Sequence, residues 1–389
     1  MKYDFDKIVP RRGTNSVKWD AEKEDGVIPM WVADMDFQAA PCIRQALKER
    51  MDHGVFGYTL VPNSYYESII SWFDRRHQWH IERDWIIYTS GVVPAISAII
   101  KALTEPGDKV LVQTPVYNCF FSSIRNNGCT TAENALVRKG NSYEIDFDDF
   151  EKQAADEKTK VFLLCNPHNP AGRVWTPEEL SRMNDICLKH GVKVIADEIH
   201  CELVMPGYKF TPFAAVSKAC QDNCITTNSP TKSFNIAGLQ IANIITNNDT
   251  IKRKIDRAIN INEVCDVNPF GVIALQAAYN EGESWIDQLN LYLWENYKVL
   301  KDFFQEHLPK LKVLKLEGTY LVWIDISATG LKADELTNEL LQHGKVMVNS
   351  GTMYGKTTGA DYLRLNIAMP RSLMLEALQR IAQVLQPKL

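Results

Sequence analysis

Residues 161–200 read VFLLCNPHNPAGRVWTPEELSRMNDICLKHGVKVIADEIH, and their rhythm decides the fold class. Val161 to Cys165 is a continuous apolar run of strand length. A turn rich in Asn, Pro and Gly follows, and the spacing then predicts a helix from Pro177 to His190. Thr176 caps that helix, Pro177 suits its first turn, and Glu179 completes a T-x-x-E capping box. Gly191 stops it, and Val192 to Ala196 reads as the next strand. Strand, helix, strand is a βαβ unit, which builds parallel sheets through right-handed crossovers. In such sheets ligands collect outside the carboxyl ends of the strands.

Working outward, Trp85 to Thr89 reads as a strand, Ser90-Gly91 as a turn, and Pro94 to Leu103 as a helix that begins where proline is tolerated. Lys109 to Gln113 and Cys224 to Thr227 are further strands. All end in polar or Gly/Pro-containing turns, so those turns are the place for chemistry. After residue 280 the pattern changes. Trp285, Leu289, Leu293, Tyr297, Leu300 and Phe304 recur at spacings of three and four, the packed face of one long helix. Strand-like stretches at Val313–Leu316, Thr319–Ile326, Val346–Val348 and Leu363–Ile367 alternate with helices at Ala333–His343 and Ser372–Leu385. A second, smaller α/β domain is expected there.

The 389 residues carry 43 Lys+Arg against 48 Asp+Glu, a net charge of -5, so no global positive field draws in nucleic acid. Charged residues at 23% and hydrophobic ones at 45% match an ordinary globular chain and exclude disorder as the main state. Nine cysteines, an odd number without a C-x-x-C pair, read as reduced thiols of a cytoplasmic protein. The N-terminus lacks the apolar core of a signal peptide, and no apolar run reaches the roughly 18 residues of a membrane span.

Several motifs have bland readings that win. Gly351-Thr-Met-Tyr-Gly355-Lys356-Thr357 is one residue short of a nucleotide P-loop between its glycines, and a strand follows it. His80-Ile-Glu82 lacks the P-C-x-x-C that would complete a deaminase zinc site. His77 and His80 have no carboxylate or cysteine at ligand spacing in the sequence and are expected at the surface, so no metal is expected. At the strand ends, three signals converge on one sheet edge: Asp197 with His200, the turn Asn166-Pro-His-Asn169-Pro-Ala-Gly172, and Ser229-Pro-Thr-Lys232.

In order, these motifs are a Gly-Val-Val helix start, Thr-Pro-x-Tyr, N-P-H-N-P-x-G, D-E-I-H and S-x-x-K. The chain resembles fold-type I pyridoxal-phosphate enzymes of the class I/II aminotransferase superfamily over nearly its whole length. Met30-Trp-Val-Ala-Asp-Met-Asp-Phe37, Thr89-Ser-Gly-Val-Val93, N-P-H-N-P-x-G-R-V-W and D-E-I-H resemble the branch of cystathionine β-lyases and cysteine-S-conjugate β-lyases. The resemblance implies an aspartate-aminotransferase-like α/β fold: a mostly parallel sheet between helices, plus a smaller α/β domain from both chain ends. It divides the chain into an arm at 1–45, a cofactor-binding domain at 46–282 and a small domain at 283–389.

The family pattern further implies that Lys232 holds pyridoxal 5'-phosphate as a Schiff base and shuttles the substrate's Cα proton. Asp197 pairs with the ring nitrogen, Asn169 bonds the phenolic oxygen, and Tyr117 stacks on the ring. Gly91, Val92 and Val93 sit at a helix start, where unpaired N–H groups and the dipole attract phosphate. Ser229 adds a hydroxyl, and Tyr58 reaches the phosphate from the neighbouring subunit, so a homodimer is implied. Arg364 grips the substrate carboxylate. Two departures lean toward the lyase branch: Gln240 stands where many aminotransferases carry a phosphate-binding arginine, and His200 where most place a tyrosine. Trp31, Asp34, Asp36, Phe37 and Tyr320 are candidates for either the pocket wall or the core.

The expected reaction is β-elimination on L-cysteine S-conjugates such as cystathionine, giving thiol, pyruvate and ammonia. An aminotransferase would use the same constellation as far as proton removal and is the alternative. A low-turnover cofactor-binding regulatory module is a third reading, disfavoured because no appended DNA-binding segment is visible.

Overall fold

The computed structural model describes residues 3–261, 263 and 266–389, so the ninth thiol, Cys265, lies outside the described residues. The other eight cysteines are free. Seven strands form the central sheet: Ile86–Thr89 (β1), Lys109–Thr114 (β2), Thr130–Ala135 (β3), Thr159–Cys165 (β4), Lys193–Asp197 (β5), Cys224–Asn228 (β6) and Ala242–Ile245 (β7). Their order is β1-β7-β6-β5-β4-β2-β3. β7 runs antiparallel to both its neighbours and every other pairing is parallel.

The two-residue period of the strands divides the core into two layers. Val161 and Leu163 of β4, with Val110, Val112, Ile195, Ile225 and Ile244, pack with Ile96, Ile99 and Ile100 of helix Val92–Leu103 (α1). Phe162 and Leu164, with Leu111, Val194 and Ala196, face the other layer, where helix Pro177–Lys189 (α3, after α2 at Asn118–Asn126) contributes Leu180, Met183 and Cys187. Burial on both faces is why these strands read as unbroken apolar runs. Each such Leu, Ile or Phe contributes about 1.5–3 kcal/mol when fully buried.

A second sheet is built from Lys312–Val313 (β8), Leu321–Asp325 (β9), Asn349–Ser350 (β10) and Tyr362–Asn366 (β11), in the order β8-β9-β11-β10. Against it lie helices Glu283–His307 (α4), Ala333–Gly344 (α5) and Arg371–Leu385 (α6). The expected stripe on α4 is buried in full, from Trp285 to Phe304. The chain start joins this region, because Ile28–Pro29 pairs in parallel with Val346–Met347. Among the described residues no helix is long and apolar enough to cross a membrane.

Several boundaries differ from the sequence reading. Trp85 belongs to a 3-10 turn, Arg83–Trp85, and the strand starts at Ile86. The expected strand Thr319–Ile326 shortens to Leu321–Asp325, because Thr319 adopts a left-handed φ of 69° that no ladder residue can hold. The stretch Val313–Leu316 leaves its sheet after Val313, where the Lys315 amide donates to the Asn141 carbonyl.

Candidate active site

Four strand ends of the central sheet and the helix start after β1 open on one cavity of about 320 Å³, at the edge expected for a parallel sheet. Its walls include Gly91, Val92 and Val93, Tyr117, Asn169, Asp197 with His200, and Lys232. With Gln240, which lines it too, nine of the residues singled out in the sequence therefore share one space. Arg364 joins them through Asn169: its Nη1 donates to Asn169 Oδ1 at 3.1 Å and its Nη2 to the Trp31 carbonyl at 2.7 Å.

Asp197 is the last residue of β5 and is buried. Burial pushes its carboxyl up to about 7, against the pull of the Ile199 N–H and Lys232. Burial also lowers the Lys232 ammonium, opposed by Asp34 and reinforced by Arg364. The Lys232 Nζ donates to the Ala33 carbonyl at 2.7 Å, as the Tyr320 hydroxyl does at 2.9 Å. His200 is held neutral, its pKa down at about 3, by burial and by the charges of Lys232 and Arg364. Its ring meets Tyr320 edge-on at 6.1 Å, and its buried Nδ1 has no partner among the described residues.

At the other end, α1 begins at Val92 with Gly91 as its cap and no side-chain cap bond. The first-turn amides of Val92 and Val93 have no intrahelical acceptor, and Pro94 carries no N–H at all. The cavity thus offers free donors and a helix dipole at one end, and behind its Asn169 wall stands the buried Arg364 guanidinium, whose Nε lacks a partner among the described residues. Between them stand a carboxylate, an amide and an amine. A flat, phosphorylated, nitrogen-containing aldehyde fits that donor set.

Not every expected residue comes together. Ser229 is buried, but its hydroxyl donates to the Ile241 carbonyl at 2.5 Å and accepts from the Thr231 amide at 3.1 Å. Tyr58 is fully exposed on a segment with Val55, Phe56 and Leu60, which are also exposed. Of the pocket-wall candidates, Asp36 is instead locked to Lys18 (2.8 Å), Arg11 (2.7 Å) and Trp19 (2.7 Å). Phe37 packs edge-on against Phe5 and Tyr292. These residues strap the N-terminal segment over the site, and Asn366 Nδ2 ties it down through the Val32 and Asp34 carbonyls.

His77 corrects an expectation. It is largely buried rather than at the surface, and its Nε2 lies 2.6 Å from Glu202 Oε1, with Cys201 nearby. The carboxylate comes from 125 positions along the chain, which sequence spacing could not reveal. Glu202 is already occupied by Trp72 (2.7 Å) and Arg76 (3.3 Å) as well. Sequence reasoning also missed Ala33, whose backbone oxygen accepts from both Lys232 and Tyr320, and Tyr354. The latter lies in the stretch weighed only as a P-loop, yet its ring sits 4.7 Å under the Arg364 guanidinium.

The family model for aminotransferase class I and II matches residues 25–381. The chain is 42% identical to cystathionine beta-lyase PatB of Bacillus subtilis, over 98% of this chain and 99% of that one. It is 34% identical to protein MalY of Escherichia coli, over 95% of each. Among solved structures it resembles cystalysin from Treponema denticola, which contains pyridoxal 5'-phosphate, with 36% identity, full coverage of both chains and a TM-score of 0.96. It also resembles the PLP-bound C-S lyase from Staphylococcus hominis, with 34% identity, a TM-score of 0.92 and coverage of 98% and 99%. With the sheet, the strand-end cavity and its donor set in agreement along the whole match, the chain belongs to the class I and II aminotransferase family.

Proposed function

We propose that this protein is a pyridoxal-phosphate-dependent carbon-sulfur β-lyase that cleaves cystathionine or other L-cysteine S-conjugates to thiol, pyruvate and ammonia. The observation that carries the reading is the single cavity joining Lys232, Asp197, Asn169 and the open α1 start, in a chain alike end to end to cystathionine β-lyases. When bound, the cofactor supplies an electron sink for the pair left at Cα after proton loss.

The protein's own groups do the rest. Lys232, its ammonium already weakened by burial, is the amine that holds the cofactor covalently and then takes the Cα proton. Asp197 is the carboxylate that would hold the ring nitrogen, and a positive charge there would offset the cost that burial places on its own. Asn169 spends its oxygen on Arg364, which leaves its amide N–H groups for the phenolic oxygen. Tyr117 offers a ring face, and the Gly91–Val93 amides hold the phosphate. Arg364, fixed by Trp31 and Asn169, keeps Nε for the substrate carboxylate. Proton removal at Cα then expels the thiolate from Cβ, and hydrolysis yields pyruvate and ammonia.

The site is completed in a cytoplasmic homodimer, in which the partner subunit's Tyr58 reaches the phosphate. The exposed apolar segment around Tyr58 supports that arrangement. Within each chain the arm 1–45 and residues 283–389 form the small domain, beside the large domain 46–282. The test is to supply purified holoenzyme with cystathionine or an S-alkyl cysteine. Stoichiometric release of thiol and pyruvate without any 2-oxo acid is expected. Transfer of the amino group to 2-oxoglutarate with no thiol would reject the lyase in favour of an aminotransferase.

A further inference from the structure

Beside Asp197 lies a second carboxyl group that none of these steps uses. Glu198 is completely buried. Its Oε1 accepts from the Phe213 amide at 2.7 Å and from Asn166 Nδ2 at 3.3 Å, while Oε2 has no partner among the described residues. Asn166 Nδ2 also donates to the Thr211 carbonyl at 3.2 Å. One carboxyl group therefore ties three segments together: the end of β5, the turn that carries Asn169, and the loop 211–213. We propose that Glu198 is a positioning residue that works as a neutral carboxylic acid, pinning the Asn169 turn to β5 and leaving Asp197 the sole anion at this strand end.

The inference rests on the reading of Asp197 and Asn169 as cofactor ligands, and its argument is one of charge. The groups facing Glu198 are Asp197 from its own strand end, Cys201 from the turn that follows, and Cys224 from β6. None is cationic. An ionised Glu198 would be a buried charge with one bare oxygen and an anion as its neighbour. Burial first, and Asp197 second, push its carboxyl up to about 8, against the pull of the Phe213 and Asn166 N–H groups. Asp197 has what Glu198 lacks, the nearby Lys232 charge. When two adjacent carboxyls compete for one charge, the one with the cation ionises. Loss of the Glu198 proton at alkaline pH sets two anions side by side and loosens both the Asn169 turn and the loop 211–213.

Infrared spectroscopy of protein labelled with ¹³C-glutamate tests the state of this group without any substitution. A protonated glutamic-acid C=O band that shifts with the label is expected near neutral pH, and it disappears in Glu198→Gln. The melting temperature supplies an independent readout. Because the folded-state pKa is raised, the wild type loses stability as pH climbs from the ordinary glutamate range through about 8, and glutamine does not. The advantage of Glu198→Gln over wild type should therefore widen between pH 5 and pH 8. In the holoenzyme the alkaline limb of kcat/KM should move to higher pH in the same variant. Absence of the labelled band, a stability difference flat with pH, or an unmoved alkaline limb would each overturn the proposal. The first two readouts also apply to apoprotein. A chain that kept both but took up no pyridoxal phosphate would refute the cofactor reading and not the state of Glu198.

Discussion

Lys232 and Asp197 stand in an environment that penalises charge on both, and the sign of each shift sets what a substitution does. If Lys232 is both base and covalent anchor, Lys232→Ala removes the two together, and kcat/KM for β-elimination should fall about 10⁴-fold or more, measured as pyruvate release. If Asp197 pairs with the ring nitrogen, Asp197→Asn keeps the shape but removes that partner, and a loss of about 10²–10³-fold is expected in the same assay. Asp197 also carries a pH signature. Its folded-state pKa is raised to about 7, so the stability it contributes is present in acid and lost as pH rises through that value. On the proposed pairing, a protonated ring nitrogen would relieve the cost, so pyridoxal phosphate should raise the melting temperature more at pH 8 than at pH 5. Asp197→Asn should flatten that difference. Arg364→Lys exchanges a fork that already bonds Trp31 and Asn169 for a point charge, and KM should rise roughly 30-fold, about 2 kcal/mol, with a smaller change in kcat.

Helix α3 shows how an element links sequence signal to site. Its capping box forms as the T-x-x-E pattern requires, with the Glu179 amide donating to Thr176 Oγ1 at 3.2 Å and the Thr176 amide to Glu179 Oε2 at 2.9 Å. Glu179 also pairs with buried Arg173, which bonds Glu317 on the approach to β9. Thr176→Ala should therefore cost only about 1 kcal/mol. Glu179→Ala also strips a charge partner from a buried guanidinium and should cost more, about 2–3 kcal/mol by chemical denaturation. The Asn169 turn closes at Gly172, whose φ is 71° and where a Cβ would lie 3.1 Å from the Lys315 carbonyl. Gly172→Ala should lower the melting temperature and weaken cofactor binding together, because the turn that carries Asn169 must shift. The capping box was legible because its bonds span three residues. Thr319, which ends the expected strand early, was not, because its left-handed backbone answers to long-range contacts: its amide donates to the Leu203 carbonyl at 2.7 Å.

At the scale of the whole molecule, the cavity exists only because segments distant in sequence meet. The N-terminal strap reaches Lys232 through Ala33 and Arg364 through Trp31, and it is itself held by Lys18, Arg11, Asn235 and Asn366. Breaking the buried Lys18–Asp36 pair with Lys18→Met leaves Asp36 with Arg11 and Trp19 but without its most buried cation, and should destabilise the protein by about 3 kcal/mol or more. If the partner subunit's Tyr58 completes the site, sedimentation should show a dimer at assay concentrations, and Tyr58→Phe should raise the cofactor dissociation constant while leaving the fold unchanged by circular dichroism.

The central sheet, its crossover helix and the gathering of Lys232, Asp197 and Asn169 at one sheet edge were readable from the chain alone. Apolar period, capping chemistry and motif order are local properties, and they act within a few residues. What the tertiary structure decided is which polar atoms are spoken for. Ser229 and Asp36 turn inward to partners, His77 meets a carboxylate from another segment, the Ala33 carbonyl accepts from Lys232, and Glu198 is left buried with one bare oxygen. Each of these outcomes depends on desolvation and on neighbours brought in by long-range packing, and no window of sequence contains either.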